Sequence, residues 1–175
     1  MFTIVQDTRE QAGWEFDMYQ SNGIIRQKLD EGDYTLMELL KLEESTGRKI
    51  LRIERKKSTG ELATNLGAKW KTFCAELERL QVYEHKYIIL EFSIDILMGF
   101  PEFSGIPKSK WYRTNSAGKR VKNIRMTGAY MIKKINEIRQ TYGIEIIFAH
   151  TSAEHEAMSI FIKVYNANKE AIQGQ

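Results

Sequence analysis

Residues 50–62, I-L-R-I-E-R-K-K-S-T-G-E-L, constrain this chain more than any other stretch. Ile50, Leu51 and Ile53 are bulky or β-branched and follow the turn-forming Ser45, Thr46 and Gly47, so the stretch opens as a strand. Side chains alternate faces along a strand, which sends Glu54 and Lys56 one way and Arg55 the other. A carboxylate and an ammonium then leave the end of an apolar strand together. That pairing suits metal-dependent phosphodiester chemistry, where the acid holds Mg²⁺ and the lysine orients or deprotonates water. A surface ion pair on an edge strand has the same spacing. Ser58-Thr59-Gly60-Glu61 follows, with the Ser-x-x-Glu form of a capping box. It opens a helix whose apolar residues Leu62, Leu66, Trp70, Phe73, Leu77 and Leu80 recur at helical spacing, with Glu76 and Arg79 as neighbours near its end. Gly60 and Gly67 each weaken that helix by roughly 1 kcal/mol relative to alanine.

Upstream, residues 2–6 alternate as a first strand ending in Asp7-Thr8-Arg9-Glu10. Asp7 sits where strand gives way to loop, a position that suits a site carboxylate or turn chemistry. Trp14 and Phe16 are expected to cover a core edge, and residues 24–29 to form a short strand or helical turn. After Gly32-Asp33, residues 34–42 read as a second strand that turns through 43–49 into the Glu54 strand, a hairpin with Asp33 and Glu54 near its open end. Like charges about 5 Å apart cost roughly 3 kcal/mol at an effective dielectric of about 20, so this pair would call for a cation.

Downstream, the apolar run 86–92 reads as a central strand buried on both faces. Thr127 caps a helix with the stripe Met131, Ile135, Ile138 and Tyr142, and Gly143 stops it. Residues 144–149 make another strand. Thr151-x-x-Glu154 has capping-box form before a last helix that buries Ala153, Ala157, Ile160, Phe161 and Val164. Strands alternating with helices predict an α/β fold, a central mixed sheet flanked by helices, as one domain over residues 1–170 with 171–175 fraying.

Hydrophobic residues make up 42% of the 175, enough for a core in a soluble globular domain. One cysteine, Cys74, and three histidines leave no basis for a disulfide framework or structural zinc, and suit a reducing, cytoplasmic setting. No apolar run is long enough for a membrane span, and no secretory signal is present. The net charge is only +3, yet no acidic residue falls between Glu102 and Glu137 while nine cations do, leaving −6 on the remainder. Residues 100–126 read as a basic loop carrying Lys108, Lys110, Arg113, Lys119, Arg120, Lys122 and Arg125, with Trp111 and Tyr112 among them. Cations interleaved with aromatics suit a nucleic-acid partner. A solvated loop anchored by its aromatic rings is the other reading.

Three separated pieces, Val5-Gln6-Asp7-Thr8-Arg9-Glu10, Gly32-Asp33-Tyr34 and Ile53-Glu54-Arg55-Lys56, together resemble the nuclease domain of the XPF (xeroderma pigmentosum group F) family of structure-specific DNA repair endonucleases. That family carries D-x-R-E, then G-D, then E-R-K-x-x-x-D, and the match covers residues 2 to about 165. The resemblance is closest to compact stand-alone members of phages and bacteria. It implies a restriction-endonuclease-like PD-(D/E)xK fold and a Mg²⁺-dependent DNA endonuclease, with Mn²⁺ expected to substitute. By the same resemblance, Asp33 and Glu54 take the places of metal-binding acids and Lys56 that of the catalytic lysine. Asp7 matches the upstream acidic residue of the site, a third candidate metal ligand. Arg9 and Glu10 match the polar pair after it, and Arg55 the motif arginine, so Arg9 and Arg55 join the candidate catalytic set.

The chain departs from the family pattern in two places. The last motif aspartate falls near Glu61, one residue late, where it is either a ligand or half of the capping box. The family's tandem helix-hairpin-helix domain is not expected within these residues, so residues 100–126 are the expected DNA-binding replacement. Relatives dimerise through this domain, which makes a homodimer the expected assembly; the apolar faces of the last two helices are candidates for it, or for the core. A catalytically inactive DNA-binding scaffold, and an enzyme acting on RNA or single-stranded ends, are the alternative readings.

Overall fold

The computed structural model describes residues 1–16 and 21–174. In chain order the elements are β1 (Ile4–Gln6), β2 (Ile24–Arg26), β3 (Tyr34–Leu36), α1 (Met37–Thr46), β4 (Leu51–Lys56), α2 (Thr59–Leu66), α3 (Trp70–Leu80), β5 (His85–Leu90), α4 (Ile94–Met98), β6 (Tyr112–Thr114), β7 (Arg120–Lys122), α5 (Gly128–Tyr142), β8 (Glu145–Phe148), α6 (Ala153–Ala167) and α7 (Lys169–Gln173). Six strands form one sheet in the order β2-β1-β3-β4-β5-β8, and β6 and β7 pair separately. The large sheet is mixed: β3 is antiparallel to β1 and β4, while β2 on β1, β5 on β4 and β8 on β5 are parallel. A central mixed sheet flanked by helices is what the alternation of patterns implies.

Strand parity divides the molecule into two apolar layers. Leu51 and Ile53 of β4, with Tyr87 and Ile89 of β5, face a layer shared with Leu39 and Leu42 of α1 and Ala157, Phe161 and Val164 of α6. Ile88 and Leu90 face the opposite layer, shared with Leu62, Phe73, Leu77, Leu97, Met131 and Ile135 of α2 to α5. The apolar stripes of α5 and α6 are therefore spent on this chain's own core. No helix among the described residues is long and apolar enough to cross a membrane.

Local chemistry explains where the elements differ from the sequence pattern. The expected strand over 34–42 stops at Leu36 and continues as α1, because Leu39, Leu42 and Glu43 recur at helical spacing and all three are buried there. The hairpin becomes a strand–helix–strand unit, but β3 still pairs antiparallel with β4. The helix expected from Ser58 to Leu80 is two helices, interrupted at Gly67, where φ is −115° and ψ −100°. Residues 100–126 are not structureless: β6 and β7 form a hairpin, and Asn115 Oδ1 accepts the Ala117 and Lys119 N–H groups at its turn. At α5 the Thr127 hydroxyl accepts the Tyr130 N–H, and Gly143 closes the helix at φ 62°, a left-handed conformation in which glycine has no Cβ to clash. Thr151 and Glu154 do not form a capping box; α6 starts from Ser152 without a side-chain cap, and Glu154 accepts the Glu15 N–H instead. Near the end of the chain, Ile172 of α7 packs on the core; Gln175 lies outside the described residues.

One buried ion pair ties α1 to the root of β4. Arg52 and Glu43 meet at 3.0 Å with side chains 3% and 5% exposed. Glu43 also accepts the Ile50 N–H at 2.9 Å, and the Arg52 guanidinium lies 4.4 Å from the Tyr83 ring centroid. Glu43→Ala leaves a buried guanidinium unpaired and is expected to cost about 3–5 kcal/mol, read as a lower urea midpoint.

Candidate active site

The parity that splits the core also builds the site. Glu54 and Lys56 leave β4 toward α2 and α3, and Lys56 Nζ donates to Glu54 Oε1 at 2.6 Å. The same ammonium lies 3.5 Å from Glu61 Oε1 and 5.4 Å from the Phe73 ring centroid. Asp33 is placed by β3: its N–H donates to the Ile53 carbonyl at 2.8 Å, and its carbonyl accepts the Asp7 N–H at 2.8 Å. Its carboxylate accepts the Arg55 backbone N–H at 2.7 Å, which holds it beside β4. Asp33, Glu54 and Lys56 line one open cleft of about 510 Å³.

The electrostatics of that cleft are those of crowded acids. Burial, with the charge of Glu54 adding to it, pushes the Asp33 carboxyl up to about 8. Burial also raises Glu54; Lys56 opposes that shift, and the charges of Glu76 and Glu61 reinforce it. For Lys56, burial works against the charge, but the Glu54 carboxylate outweighs it and holds the ammonium above the ordinary lysine range. Among the described residues no three His, Cys, Asp or Glu side chains converge as a ready-made metal cage.

Asp7 braces the segment after β1 in this structure. It has no exposed surface, and its Oδ1 accepts the Arg9 N–H and Nε at 2.7 Å each. Its Oδ2 accepts the Leu29 N–H at 2.6 Å and Arg9 Nη2 at 3.1 Å. Burial alone would raise this carboxyl, but those donors hold it below the usual range. With both oxygens committed, Asp7 does not line the cleft, whereas Arg9, its side chain 62% exposed, does. Asp7→Asn is expected to destabilise the fold by about 3 kcal/mol, because it strips a charged hydrogen-bond hub, while leaving divalent-ion affinity within a few-fold. Chemical denaturation and calorimetric metal titration of the same protein check both halves.

Arg55 does not line the cleft either. It points to the other face, as parity requires, where its guanidinium grips Glu91 at 2.7 and 3.1 Å, Glu10 at 3.0 Å and the Ala12 carbonyl. Trp14, whose ring centroid is 5.4 Å away, donates its indole N–H to Glu91 as well. Only the Arg55 backbone serves the cleft, through Asp33. Glu61 is a capping residue first: its N–H donates to Ser58 Oγ and its Oε2 accepts the Lys57 N–H at 3.0 Å.

The far wall of the cleft went unread in the sequence. Glu31 precedes β3, Lys69 immediately precedes α3, and Glu76 and Arg79 come from α3. Arg79 pairs with Glu31 across the cleft mouth rather than with Glu76, the neighbour that helical spacing suggests. A charged pair at i, i+3 was the one visible signal.

The basic hairpin is as exposed as its composition requires. Lys108, Lys110, Arg113, Lys119, Arg120, Lys122 and Arg125 are all exposed, and none forms a salt bridge with a described residue. Trp111 is half-buried, and its indole N–H donates to the Ile106 carbonyl at 2.9 Å, so it also anchors the loop.

This architecture recurs in solved structures of XPF from Aeropyrum pernix. One matches with a TM-score of 0.51 and 17% identity, over 83% of this chain and 52% of that one. A second, in complex with DNA, matches with a TM-score of 0.56 and 15% identity, over 98% of this chain and 66% of that one. The chain thus spans roughly half to two thirds of the XPF chains it matches, and at these identities the likeness establishes an XPF-like fold. No protein-family profile matches the chain, and no curated protein does.

Proposed function

We propose that this chain is a divalent-metal-dependent DNA endonuclease that hydrolyses phosphodiester bonds in branched, flap or fork DNA. The observation that carries the reading is the convergence of Asp33, Glu54 and Lys56 in one cleft of an XPF-like fold. Asp33 and Glu54 would hold the ion. Mg²⁺ characteristically takes one or two protein carboxylates, with water and substrate phosphate completing its shell, so two crowded acids without a third fit it. Mn²⁺ accepts the same oxygen donors. When bound, the ion supplies Lewis acidity and lowers the pKa of a coordinated water.

The chain's own residues do the rest. The Arg55 amide fixes the Asp33 carboxylate, and Lys56 fixes that of Glu54. The Lys56 ammonium, paired with Glu54, orients the attacking water and offsets charge on the phosphoryl oxygens. The water oxygen bonds to phosphorus, the bond to the leaving oxygen breaks, the water's proton passes to solvent, and the leaving oxygen takes a proton from solvent. Arg9, steadied by Asp7, offers a second cation to the phosphate from the opposite wall. The exposed cations of the hairpin grip flanking backbone; if they neutralise about five phosphates, log K falls against log salt with a slope near −4.5. A homodimer in this reading uses a surface other than the buried stripes of α5 and α6.

The test is a panel of labelled duplex, single-stranded, flap and fork DNA and RNA, each with Mg²⁺, Mn²⁺ or EDTA. Cutting of DNA with either metal and none in EDTA is expected. Tight, salt-sensitive binding without cutting on every substrate would instead make the chain a DNA-binding scaffold.

A further inference from the structure

A second cleft lies outside the acidic one. It measures about 250 Å³, and its walls include Phe100, Pro101, Trp111, Tyr112, Lys122 and Arg125. At about 30 Å³ per water it has room for roughly eight waters, the scale of one flat ring with its sugar and phosphate and far too small for duplex. Its aromatic walls are braced. Trp111 is tethered to the Ile106 carbonyl, and the Lys108 ammonium lies 5.9 Å from its ring centroid. The Arg120 guanidinium lies 4.2 Å from the Tyr112 ring centroid, while Tyr112 itself is 39% exposed. Lys122 and Arg125 make the cleft cationic, and Glu102 contributes its one acidic group.

Helix α2 separates this cleft from the acidic one. Its Glu61, Thr64 and Asn65 line the acidic cleft. Gly60, at the start of the same helix, lies so close to the Ser104 carbonyl oxygen that a Cβ there would sit 2.5 Å from it, so only glycine permits the approach. Near the other end, a Cβ on Gly67 would sit 3.2 Å from Met126 Cε, and Met126 lines the second cleft.

We propose that the second cleft is a subsite for one unpaired nucleotide of the strand being cut. Its base stacks on Tyr112 and Trp111, its phosphate meets Lys122 and Arg125, and Glu102 accepts a hydrogen bond from an exocyclic amine. A paired base hides both faces in the stack and cannot enter, so the subsite selects DNA with an unpaired arm. This inference rests on the proposed DNA reading and names the substrate class of that reading.

The test is equilibrium binding in EDTA, where no cutting intervenes, of a fork and a duplex of equal length, with 2-aminopurine at the first unpaired positions of the fork. The wild type is expected to bind the fork about ten-fold more tightly and to quench the probe, since stacking one base on an aromatic ring is worth roughly that much. Tyr112→Ala is expected to bring the fork-to-duplex ratio near one and abolish the quench, and Tyr112→Phe to keep both. Equal wild-type affinity for fork and duplex overturns the subsite. So does an equal loss on both DNAs in Tyr112→Ala, which would make Tyr112 a general backbone contact. A fork preference without metal-dependent cutting leaves the subsite standing and removes the nuclease reading. Cutting of plain duplex without a fork preference does the reverse, and no DNA binding at all removes both.

Discussion

Glu54→Ala and Asp33→Ala proteins are expected to bind DNA within a few-fold of the wild type and to cut it at least about 10³-fold more slowly. The magnitude follows from the loss of one preorganised charge at the reacting phosphate, worth about 10² to 10³ for a single donor, compounded here by loss of an ion ligand. Binding survives because the cations proposed to hold the backbone are on the hairpin, away from these acids. The folds should survive as well. Each substitution removes a carboxylate that burial and its acidic neighbours already disfavour as an anion. Glu54→Ala leaves Lys56 with Glu61 at 3.5 Å, so the ammonium is not stranded. Single-turnover cleavage and filter binding on one preparation separate the two effects, and full cutting by either variant would remove that residue from the site.

The second large effect links pH, metal and stability through Asp33. Its carboxyl is raised to about 8 in the fold from an ordinary 3.8, so between those values the folded chain holds a proton that the unfolded chain has released. Stability then falls as pH rises across that window, because the folded state binds more protons than the unfolded state. The contribution is complete below about pH 4 and is lost as pH passes about 8. Asp7 works in the opposite sense: its carboxyl is depressed, so its contribution is lost as pH falls through the depressed folded value. In the proposed reading a divalent ion would replace the Asp33 proton. At about a hundred times its dissociation constant it should add roughly 2.7 kcal/mol at pH 8.5, or about 5–10 °C in Tm, and less at pH 5. Asp33→Asn should flatten the pH dependence and remove the metal increment. Thermal unfolding with Mg²⁺ or EDTA at the two pH values reads both, and a wild-type Tm at pH 8.5 indifferent to metal would contradict the assignment.

What could be read from the sequence was whatever depends on a short period or a local cap. The two-residue period of β4 separates Glu54 and Lys56 from Arg55, and the structure keeps that separation through six residues of strand. Thr127 and Gly143 bound α5 because caps act within one turn. The three motif pieces point to Asp33 and Glu54 as neighbours, and the antiparallel pairing of β3 with β4 places them side by side even though the hairpin between them is a helix.

The missed features depend on partners distant in sequence. Asp7 shares a motif with site acids, and its bond to the Leu29 N–H, 22 residues away, leaves no signal in that motif. Arg55 was placed by parity on the face away from Glu54, but its partner Glu91 is 36 residues on, and spacing gives no hint of that bond. The alternation Tyr34, Leu36 runs into a helix whose buried Glu43 finds Arg52 nine residues later. Gly67 reads as a weak point in one helix; as a break it re-aims α3, and that turn brings Lys69, Glu76 and Arg79 to the cleft.

The central claim is that the cleft of Asp33, Glu54 and Lys56 hydrolyses DNA, and nicking of supercoiled plasmid in Mg²⁺ by the wild type and by Lys56→Ala tests it most directly. The account predicts wild-type nicking that EDTA abolishes, and a loss of at least about 10²-fold in the variant at unchanged plasmid affinity. Equal nicking by the two proteins, or none by the wild type with any divalent ion, would contradict it.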